Sequence, residues 1–356
     1  MKYAIIGCGR IARFHIMAAL ENELEIVALC DLNVSKAKKY IYDYNLSPNT
    51  KVYDDYKKMI KEEKLDFVSI ATESDKHAPL AIYIINQGIN VLIEKPIALS
   101  MKEANAIVEA AREKNVKVEV CHQNRFNPAV QNLRNAIEQG RFGTITHGSV
   151  HIRWNRDSKY YARGDWRGTW EHDGGTLMNQ CIHGIDMLLW MMGGNVKSVY
   201  GEIRNLNHSY IEGEDLGMAV ITFDNGAVAT IEGTTNTYIE AEEACLCVYG
   251  VNGAVKIGGA TINCIEKWTF ENKESSDSEK LINESVTNVY GNSHPRIFKD
   301  LIDSIEKKCE PYVTADDGKK AMSVILAIYK SCKEHKVIDF PMEEFSTIDM
   351  QGYLFT

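Results

Sequence analysis

Short apolar runs alternate with longer amphipathic stretches over the first 122 residues. The runs are rich in Val, Ile, Leu, Ala and Cys, and they predict strands at residues 3–7, 25–30, 66–72, 90–93 and 117–121. Each gap can hold a helix, and we predict helices at 11–20, 35–44, 54–61, 77–87 and 101–114. Near-continuous apolar strands joined by crossover helices are typical of a parallel sheet covered on both faces. The sequence therefore predicts a doubly wound α/β domain of the Rossmann type over residues 1–122.

After residue 122 the pattern changes to β runs with few helices between them. Strands are predicted at 144–154, 196–206, 216–223, 227–235, 244–249, 254–257 and 261–270. Helices are predicted at 127–139, 176–192, 296–307 and 315–333, and a charged, Ser-rich surface loop at 273–280. Asp224-Asn225-Gly226 and Val251-Asn252-Gly253 have the composition of hairpin turns. We predict an α+β domain over residues 123–356 with a largely antiparallel, open-faced sheet; its C-terminal helices are candidates for packing back on the first domain.

The composition argues against several classes of protein, among them nucleic-acid-binding, membrane-spanning and zinc-binding proteins. The 356 residues carry a formal net charge of -9, so we do not expect a nucleic-acid partner. No apolar stretch approaches the roughly 20 residues of a membrane span, and the N-terminus lacks the pattern of a secretion signal. The nine cysteines show no CxxC pair and no zinc-site spacing. These features predict a cytoplasmic protein with reduced cysteines, no membrane contact and no metal site.

A glycine-rich turn follows the first predicted strand. Its sequence, GCGRIA at 7–12, is a GxGxxA pattern, and Asp31 ends the second strand. Gly7 suits a tight turn, Gly9 permits close approach of a pyrophosphate, and the following helix offers its N-terminus to phosphate. Asp31 can accept hydrogen bonds from ribose hydroxyls and would repel a 2′-phosphate. The pattern predicts NAD binding, with contacts from Gly7, Gly9, Arg10, Ile11 and Asp31; a structural turn without nucleotide is the alternative.

Two further features are candidates for chemistry. Lys95 follows an apolar strand at the sheet edge where such folds bind ligands, and it could exchange a proton with a substrate hydroxyl. A solvated lysine is the alternative. On the predicted helix 176–192, Asn179, His183 and Asp186 form a polar stripe at i, i+4 and i+7. Internal hydrogen bonds or a domain interface would also explain this stripe, and they are favoured for Asp186.

Three segments together resemble the glucose–fructose oxidoreductase, inositol dehydrogenase and rhizopine catabolism (Gfo/Idh/MocA) family. They are GCGRIA at 7–12, EKP at 94–96 and DGGTLMNQCIHGID at 173–186, and the resemblance covers nearly the whole chain. It implies NAD-dependent hydride transfer at a sugar or cyclitol carbon, with Lys95 and His183 as catalytic residues acting from the two domains. Many members have Asp where this chain has Asn179, which leaves Asn179 to orient the substrate.

A narrower resemblance is to the branch that oxidises UDP-N-acetylglucosaminuronic acid at C3′ of the sugar. It rests on NRFNP at 124–128, Tyr160-Tyr161 and the aromatic loop at 166–170. It implies substrate contacts from Asn124, Arg125, Tyr160, Tyr161 and Asn179. Arg125 could hold a carboxylate or diphosphate as a planar fork, with a surface salt bridge as the alternative.

The same resemblance implies further contacts with the cofactor and a way in which the cofactor is reoxidised. Cofactor contacts are expected from Thr72, His77, Glu94, Lys95, Trp166 and Arg167, with helix capping or packing as alternatives for His77 and Trp166. The branch implies that reduced cofactor stays bound and is reoxidised by 2-oxoglutarate.

A homodimer or tetramer is expected because a one-sided sheet needs its outer face covered. Alternative functions are a dehydrogenase of a UDP-N-acetylhexosamine, inositol or a free sugar, and a non-catalytic NAD-binding regulator.

Overall fold

Two compact units make up the chain. The computed structural model describes residues 1–238, 242–275, 277 and 291–355. The first unit comprises Met1–Ala98, Lys102–Gln123 and Ser293–Lys319. The second comprises Leu99–Met101, Asn124–Asn292 and Lys320–Thr356. The chain thus passes into the second unit after residue 123, next to the boundary proposed from the sequence, and returns to the first unit for residues 293–319.

The first unit is built on a six-stranded parallel sheet. Its strands are β1 (Lys2–Ile6), β2 (Glu25–Cys30), β3 (Lys51–Tyr53), β4 (Phe67–Ile70), β5 (Asn90–Ile93) and β6 (Val118–Val120). Its crossover helices are α1 (Ala12–Glu21), α2 (Val34–Asp43), α3 (Tyr56–Glu62), α4 (His77–Asn86) and α5 (Met101–Lys114). The strand order β3-β2-β1-β4-β5-β6 is that of a Rossmann dinucleotide-binding fold. Helices cover both faces, which is why the central strand residues are fully buried.

The second unit is built on an eight-stranded sheet. Its first helices are α6 (Pro128–Glu138), α7 (Ser158–Tyr161) and α8 (Ile182–Met192). Its strands are β7 (Ile145–Arg153), β8 (Val196–Arg204), β9 (Leu216–Phe223), β10 (Val228–Thr234), β11 (Glu243–Gly250), β12 (Gly253–Gly258) and β13 (Cys264–Phe270). The C-terminal elements are α9 (His294–Lys307), which belongs to the first unit, α10 (Ala315–Glu334) and β14 (Ile338–Asp339). The sheet order is β13-β12-β11-β7-β10-β9-β8-β14.

Among the described residues, helices pack on one face of this second sheet, and the other face carries exposed side chains. Helix α8 packs on β7 and β11, and Ile328 of α10 lies close to Gly201 of β8. Strand β9 alternates accordingly: Ile221 is fully buried, whereas Val220 is 44% exposed. We call the exposed apolar side chains of the opposite side the outer face; they are Tyr200, Met218, Val220 and Val228.

The predicted fold class is confirmed, and the structure differs from the prediction in several details. Strand β3 was not predicted, because it is a three-residue edge strand with one apolar residue between Lys51 and Tyr53. Strands β7 and β10 pair in parallel within the otherwise antiparallel second sheet. The predicted helix 176–192 is divided into a π-helical turn, Leu177–Cys181, and α8. Most of the predicted surface loop 273–280 lies outside the described residues. No described helix is long and apolar enough to cross a membrane.

Candidate active site

The glycine-rich turn between β1 and α1 has the geometry of a phosphate cradle. Gly7 adopts a φ of +96°, and a Cβ there would lie 2.5 Å from the carbonyl oxygen of Ala71. A Cβ added at Gly9 would meet no atom within 4 Å. Ile11 at the N-cap of α1 gives no side-chain hydrogen bond to the first turn, which leaves backbone N–H groups for an anion. Both the open space at Gly9 and the uncapped helix fit a pyrophosphate.

Asp31 is held in place at the carboxyl end of β2. Its Oδ2 accepts a hydrogen bond from the backbone N–H of Cys8 at 2.8 Å, and its Oδ1 accepts one from the N–H of Asn33 at 2.8 Å. The Tyr40 hydroxyl donates to the carbonyl of Gly9 at 2.8 Å, so the turn is fixed from a second side. A half-buried carboxylate here can still accept from ribose hydroxyls, because each oxygen has two lone pairs. These residues fit NAD.

His77 connects the two segments that flank Lys95 and the end of β4. Its Nδ1 lies 2.7 Å from the Pro96 carbonyl oxygen, and its Nε2 lies 3.2 Å from that of Thr72. Burial lowers the pKa of His77, which is 1% exposed. A neutral imidazole carries a single N–H, and the shorter contact assigns it to Nδ1, which then donates to the Pro96 carbonyl next to Lys95.

The Glu94 side chain has hydrogen-bond partners inside the first unit. We expected it to contact the cofactor, but its side chain is buried and points into the first unit, where Oε1 lies 2.9 Å from His15 Nε2. Oε2 accepts from the Lys95 N–H at 3.2 Å. Burial opposes the charged form, yet the hydrogen bond from His15 holds the pKa of Glu94 below its ordinary value. The side chain of Glu94 thus holds the Lys95 backbone and pairs with His15, and its contact with the cofactor stays a prediction.

In the second unit, a hydrogen-bonded chain connects the π-helical turn to the aromatic loop. Asn179 Nδ2 donates to Asp173, and Asn179 Oδ1 accepts from Gln180 Nε2 at 2.6 Å. The Tyr160 hydroxyl oxygen accepts from Gln180 Nε2 at 2.7 Å and from the Arg167 guanidinium at 2.7 Å. Asp173 and Gln180 lie in the segment 173–186 that carries the family resemblance, but we assigned neither of them a role in the site from the sequence. This chain fixes the orientation of the Asn179 amide.

Cationic and aromatic side chains surround Tyr160. The guanidinium carbons of Arg156, Arg163 and Arg167 lie 5.2, 5.8 and 4.7 Å from its ring centroid. Arg167 also stacks over Trp166 at 4.2 Å. Three guanidinium groups thus lie around Tyr160, and one of them, that of Arg156, is paired with Glu242 at 3.1 Å.

The π-helical turn and α8 position His183. Such turns inside helices occur frequently at functional sites. His183 lies in the first turn of α8 and is half-buried. The next residue, Gly184, allows α8 to lie against β7, because a Cβ there would be 2.7 Å from Ile152.

Two predicted substrate residues are engaged inside the second unit. Tyr161 is 8% exposed, and its hydroxyl lies 3.2 Å from Thr235 Oγ1. Arg125 donates from Nε and one terminal nitrogen to Asp186 at 2.7 and 2.6 Å. This ion pair occupies the fork that we expected a substrate anion to occupy, and it is buried rather than at the surface. It also explains Asp186 as an internal partner.

Asn124, in contrast, keeps a polar atom without a partner. It is 6% exposed, and its Oδ1 makes no hydrogen bond within the protein. A buried acceptor of this kind is rare unless a ligand or water satisfies it. Asn124 therefore remains a candidate for ligand contact.

Comparison with known proteins identifies two family domains. Residues 1–122 match "Oxidoreductase family, NAD-binding Rossmann fold". Residues 134–340 match "Oxidoreductase family, C-terminal alpha/beta domain". D-apiose dehydrogenase of Paraburkholderia graminis is 25% identical over 95% of this chain and 89% of its own length.

Two solved structures resemble the chain over almost its full length. The WlbA dehydrogenase from Bordetella pertussis, in complex with NADH and UDP-GlcNAcA, is 31% identical with a TM-score of 0.87, covering 96% of this chain and 99% of that one. The WlbA dehydrogenase from Chromobacterium violaceum, in complex with the same two molecules, is 29% identical with a TM-score of 0.88, covering 96% of each chain.

Proposed function

The chain belongs to the Gfo/Idh/MocA oxidoreductase family and is an NAD-dependent dehydrogenase of a sugar or polyol, and we propose that it oxidises C3′ of UDP-N-acetylglucosaminuronic acid. The observation that carries this proposal is the similarity to two WlbA dehydrogenases over 96% of the chain. Both are solved with UDP-GlcNAcA, a substrate with an anionic diphosphate and a uronate. The guanidinium groups of Arg163 and Arg167 near Tyr160 support a ligand that carries negative charge.

We assign the proton transfer to His183 and Lys95. NAD, held by the glycine turn and Asp31, would supply the acceptor for the hydride of the reacting carbon. The hydroxyl proton must leave at the same time, and histidine is the side chain most often used as a general base. A lysine ammonium can donate a hydrogen bond to the oxygen as its charge develops. Asn179, oriented by Asp173 and Gln180, would hold a neighbouring polar group of the sugar.

The substrate proposal is tested by following the near-ultraviolet absorbance of reduced nicotinamide in purified protein. We expect an increase on addition of UDP-N-acetylglucosaminuronic acid and a smaller one or none with UDP-N-acetylglucosamine, which lacks the carboxylate. If the reduced cofactor stays bound, 2-oxoglutarate should reverse the increase. An increase only with UDP-N-acetylglucosamine or only with a free sugar would show that the substrate assignment is wrong while leaving the family unaffected.

The role of Lys95 is tested by Lys95→Met, which keeps a long side chain without the ammonium. Turnover should fall by at least about 100-fold, a typical contribution of acid–base groups. NAD binding, measured by calorimetry, should be retained because the glycine turn and Asp31 are unchanged. Loss of NAD binding in this variant would mean that Lys95 acts mainly on the cofactor.

A second candidate function is oxidation of an uncharged sugar. It is favoured by the similarity to D-apiose dehydrogenase over 95% of the chain. D-Apiose with NAD is therefore the first alternative substrate in the same assay.

A further inference from the structure

Four potential metal ligands meet inside the first unit, away from the glycine turn. They come from four separate elements: His15 from α1, Glu94 after β5, Cys121 after β6 and His294 at the start of α9. Their ligating atoms all lie within 4.8 Å of one another. All four side chains are buried, with exposures of 0, 6, 0 and 2%. We call this group the His-Glu-Cys-His cluster.

The polar atoms of the cluster are incompletely satisfied. Both ring nitrogens of His294 and the Nδ1 of His15 make no hydrogen bond within the protein. A buried polar group without a partner lowers stability by about 1–3 kcal/mol, so such a group normally has a water molecule, an ion or a ligand as its partner. The two imidazole rings lie edge to face, with centroids 5.8 Å apart and an interplanar angle of 64°. His294 thus brings a buried, unused ligand atom to the other three.

We propose that His15, Glu94, Cys121 and His294 bind a divalent cation of the Zn²⁺ class. Imidazole nitrogen, thiolate sulfur and carboxylate oxygen are the protein ligands of zinc, which is usually tetrahedral in structural sites. A carboxylate and a thiolate balance the two positive charges, so the buried site is neutral. On binding, the thiol proton leaves to solvent, and His15 binds through Nε2 with its remaining proton on Nδ1.

The geometry needs only modest movements of the ligand atoms. Bond lengths of about 2.0–2.3 Å place tetrahedral ligand atoms roughly 3.3–3.7 Å apart. His15 Nε2 and Glu94 Oε1, now 2.9 Å apart, have to separate by about 0.4 Å. Separations near the upper limit of 4.8 Å have to close by about 1 Å. Four protein ligands leave no open position, so the cation is structural. It would tie α9 to α1, β5 and β6.

The test uses the full-length protein after treatment with a chelator, titrated with Co²⁺ and with Zn²⁺. We expect one equivalent of Co²⁺ per chain and a thiolate-to-cobalt absorption band in the near ultraviolet. Cys121→Ala should lose the band and bind at least about tenfold more weakly. The matched control is Cys30→Ala, which removes a buried thiol of the same unit outside the cluster and should bind like the native chain.

A second variant and a stability readout keep the result decisive. Zn²⁺ should raise the Tm of the native protein but not that of His294→Gln, whose fold is checked by circular dichroism. If the native protein shows neither the cobalt band nor a higher Tm with Zn²⁺, the proposal is wrong, and the cluster is a metal-free network. It is equally wrong if Cys121→Ala keeps the band. None of these readouts depends on the identity of the sugar substrate.

Discussion

At the scale of single residues, the buried Arg125–Asp186 pair holds the helix that carries His183. The two side chains are 4 and 2% exposed. Asp186→Asn removes the carboxylate that lies 2.6 Å from the guanidinium, and breaking a buried ion pair typically costs about 3–5 kcal/mol. We expect the free energy of unfolding, measured in urea, to fall by that amount.

An exposed ion pair of the same unit provides the control. Lys256 and Glu266 lie 2.7 Å apart, with side chains 43 and 45% exposed. Glu266→Gln should change stability by less than about 1 kcal/mol. Replacing both Arg125 and Asp186 by apolar residues should recover much of the stability that Asp186→Asn loses. If Asp186→Asn costs no more than Glu266→Gln, Arg125 finds another partner, and its role in binding must be reconsidered.

Glu214 gives a prediction about pH. Burial raises its pKa from 4.5 to about 8, although the Leu177 N–H and the Tyr329 hydroxyl donate to Oε1 at 2.7 and 2.8 Å. The folded state favours the protonated form, so this stabilisation is complete below pH 4.5 and is lost as pH rises through about 8. Its loss follows a slope of about 1.4 kcal/mol per pH unit.

Glu214→Gln should therefore flatten the decline in stability between pH 5 and pH 8. The amide still accepts the two hydrogen bonds, and it cannot ionise. Urea unfolding of both chains across this range measures the difference. Parallel curves for the two chains would mean that Glu214 titrates near its ordinary value.

At the scale of elements, we expect the two glycines of the β1–α1 turn to have different roles: Gly7 is needed for folding, and Gly9 for binding the cofactor. Gly7→Ala forces a Cβ against the Ala71 carbonyl at a positive φ, so stability should fall by at least about 2 kcal/mol. Gly9→Ala meets open space and should cost less than about 1 kcal/mol. Its methyl group would occupy the space for the pyrophosphate, and NAD affinity should fall by at least about tenfold.

Thermal unfolding and calorimetric titration with NAD measure the two effects. Gly88→Ala, at a positive φ with no atom near its Cβ, is a control for backbone conformation alone. Native NAD affinity in Gly9→Ala would show that the cofactor does not approach this turn closely.

The elements that could be predicted are those whose apolar pattern decides their structure. Strands β2, β5 and β9 begin and end where the sequence placed them, because each is an apolar run bounded by polar or turn residues. The π-helical turn at Leu177–Cys181 could not be predicted, since the apolar period through the segment is that of an α-helix. The parallel pairing of β7 with β10 depends on long-range topology and leaves no local signal.

The candidate site likewise contains residues whose roles the sequence could predict and residues whose roles it could not. Gly7, Gly9 and Asp31 carry a motif because their roles fix their spacing. The pairing of Arg125 with Asp186, 61 residues apart, has no such spacing and changed the predicted role of the arginine. The His-Glu-Cys-His cluster is the extreme case, because its ligands come from distant segments that only the fold brings together.

At the scale of the whole molecule, the outer face of the second sheet predicts self-association. Tyr200, Met218, Val220 and Val228 are 43, 49, 44 and 38% exposed on neighbouring strands. A contiguous apolar surface of this kind usually marks a protein interface. We expect a homo-oligomer in solution, and Val220→Glu should shift its mass toward that of a single chain, as measured by light scattering after gel filtration.

Val251→Glu is the matched control. Val251 is 67% exposed in the turn between β11 and β12, away from the outer face, so the same change there should leave the mass unaltered. A native protein that is monomeric would contradict the prediction, and so would an unchanged mass in Val220→Glu.

The return of residues 293–319 to the first unit has a consequence for synthesis on the ribosome. Strand β6 ends at Val120, whose N–H donates to the Val313 carbonyl at 3.1 Å. When residue 122 has emerged, that partner and helix α9 have not been made, and strands β7 to β13 of the second sheet are translated first. During this time the backbone groups at the β6 edge of the nascent Rossmann unit have no partner. Such an edge can pair with strands of other chains. We expect chains stalled before residue 293 to be more sensitive to proteases than the released protein.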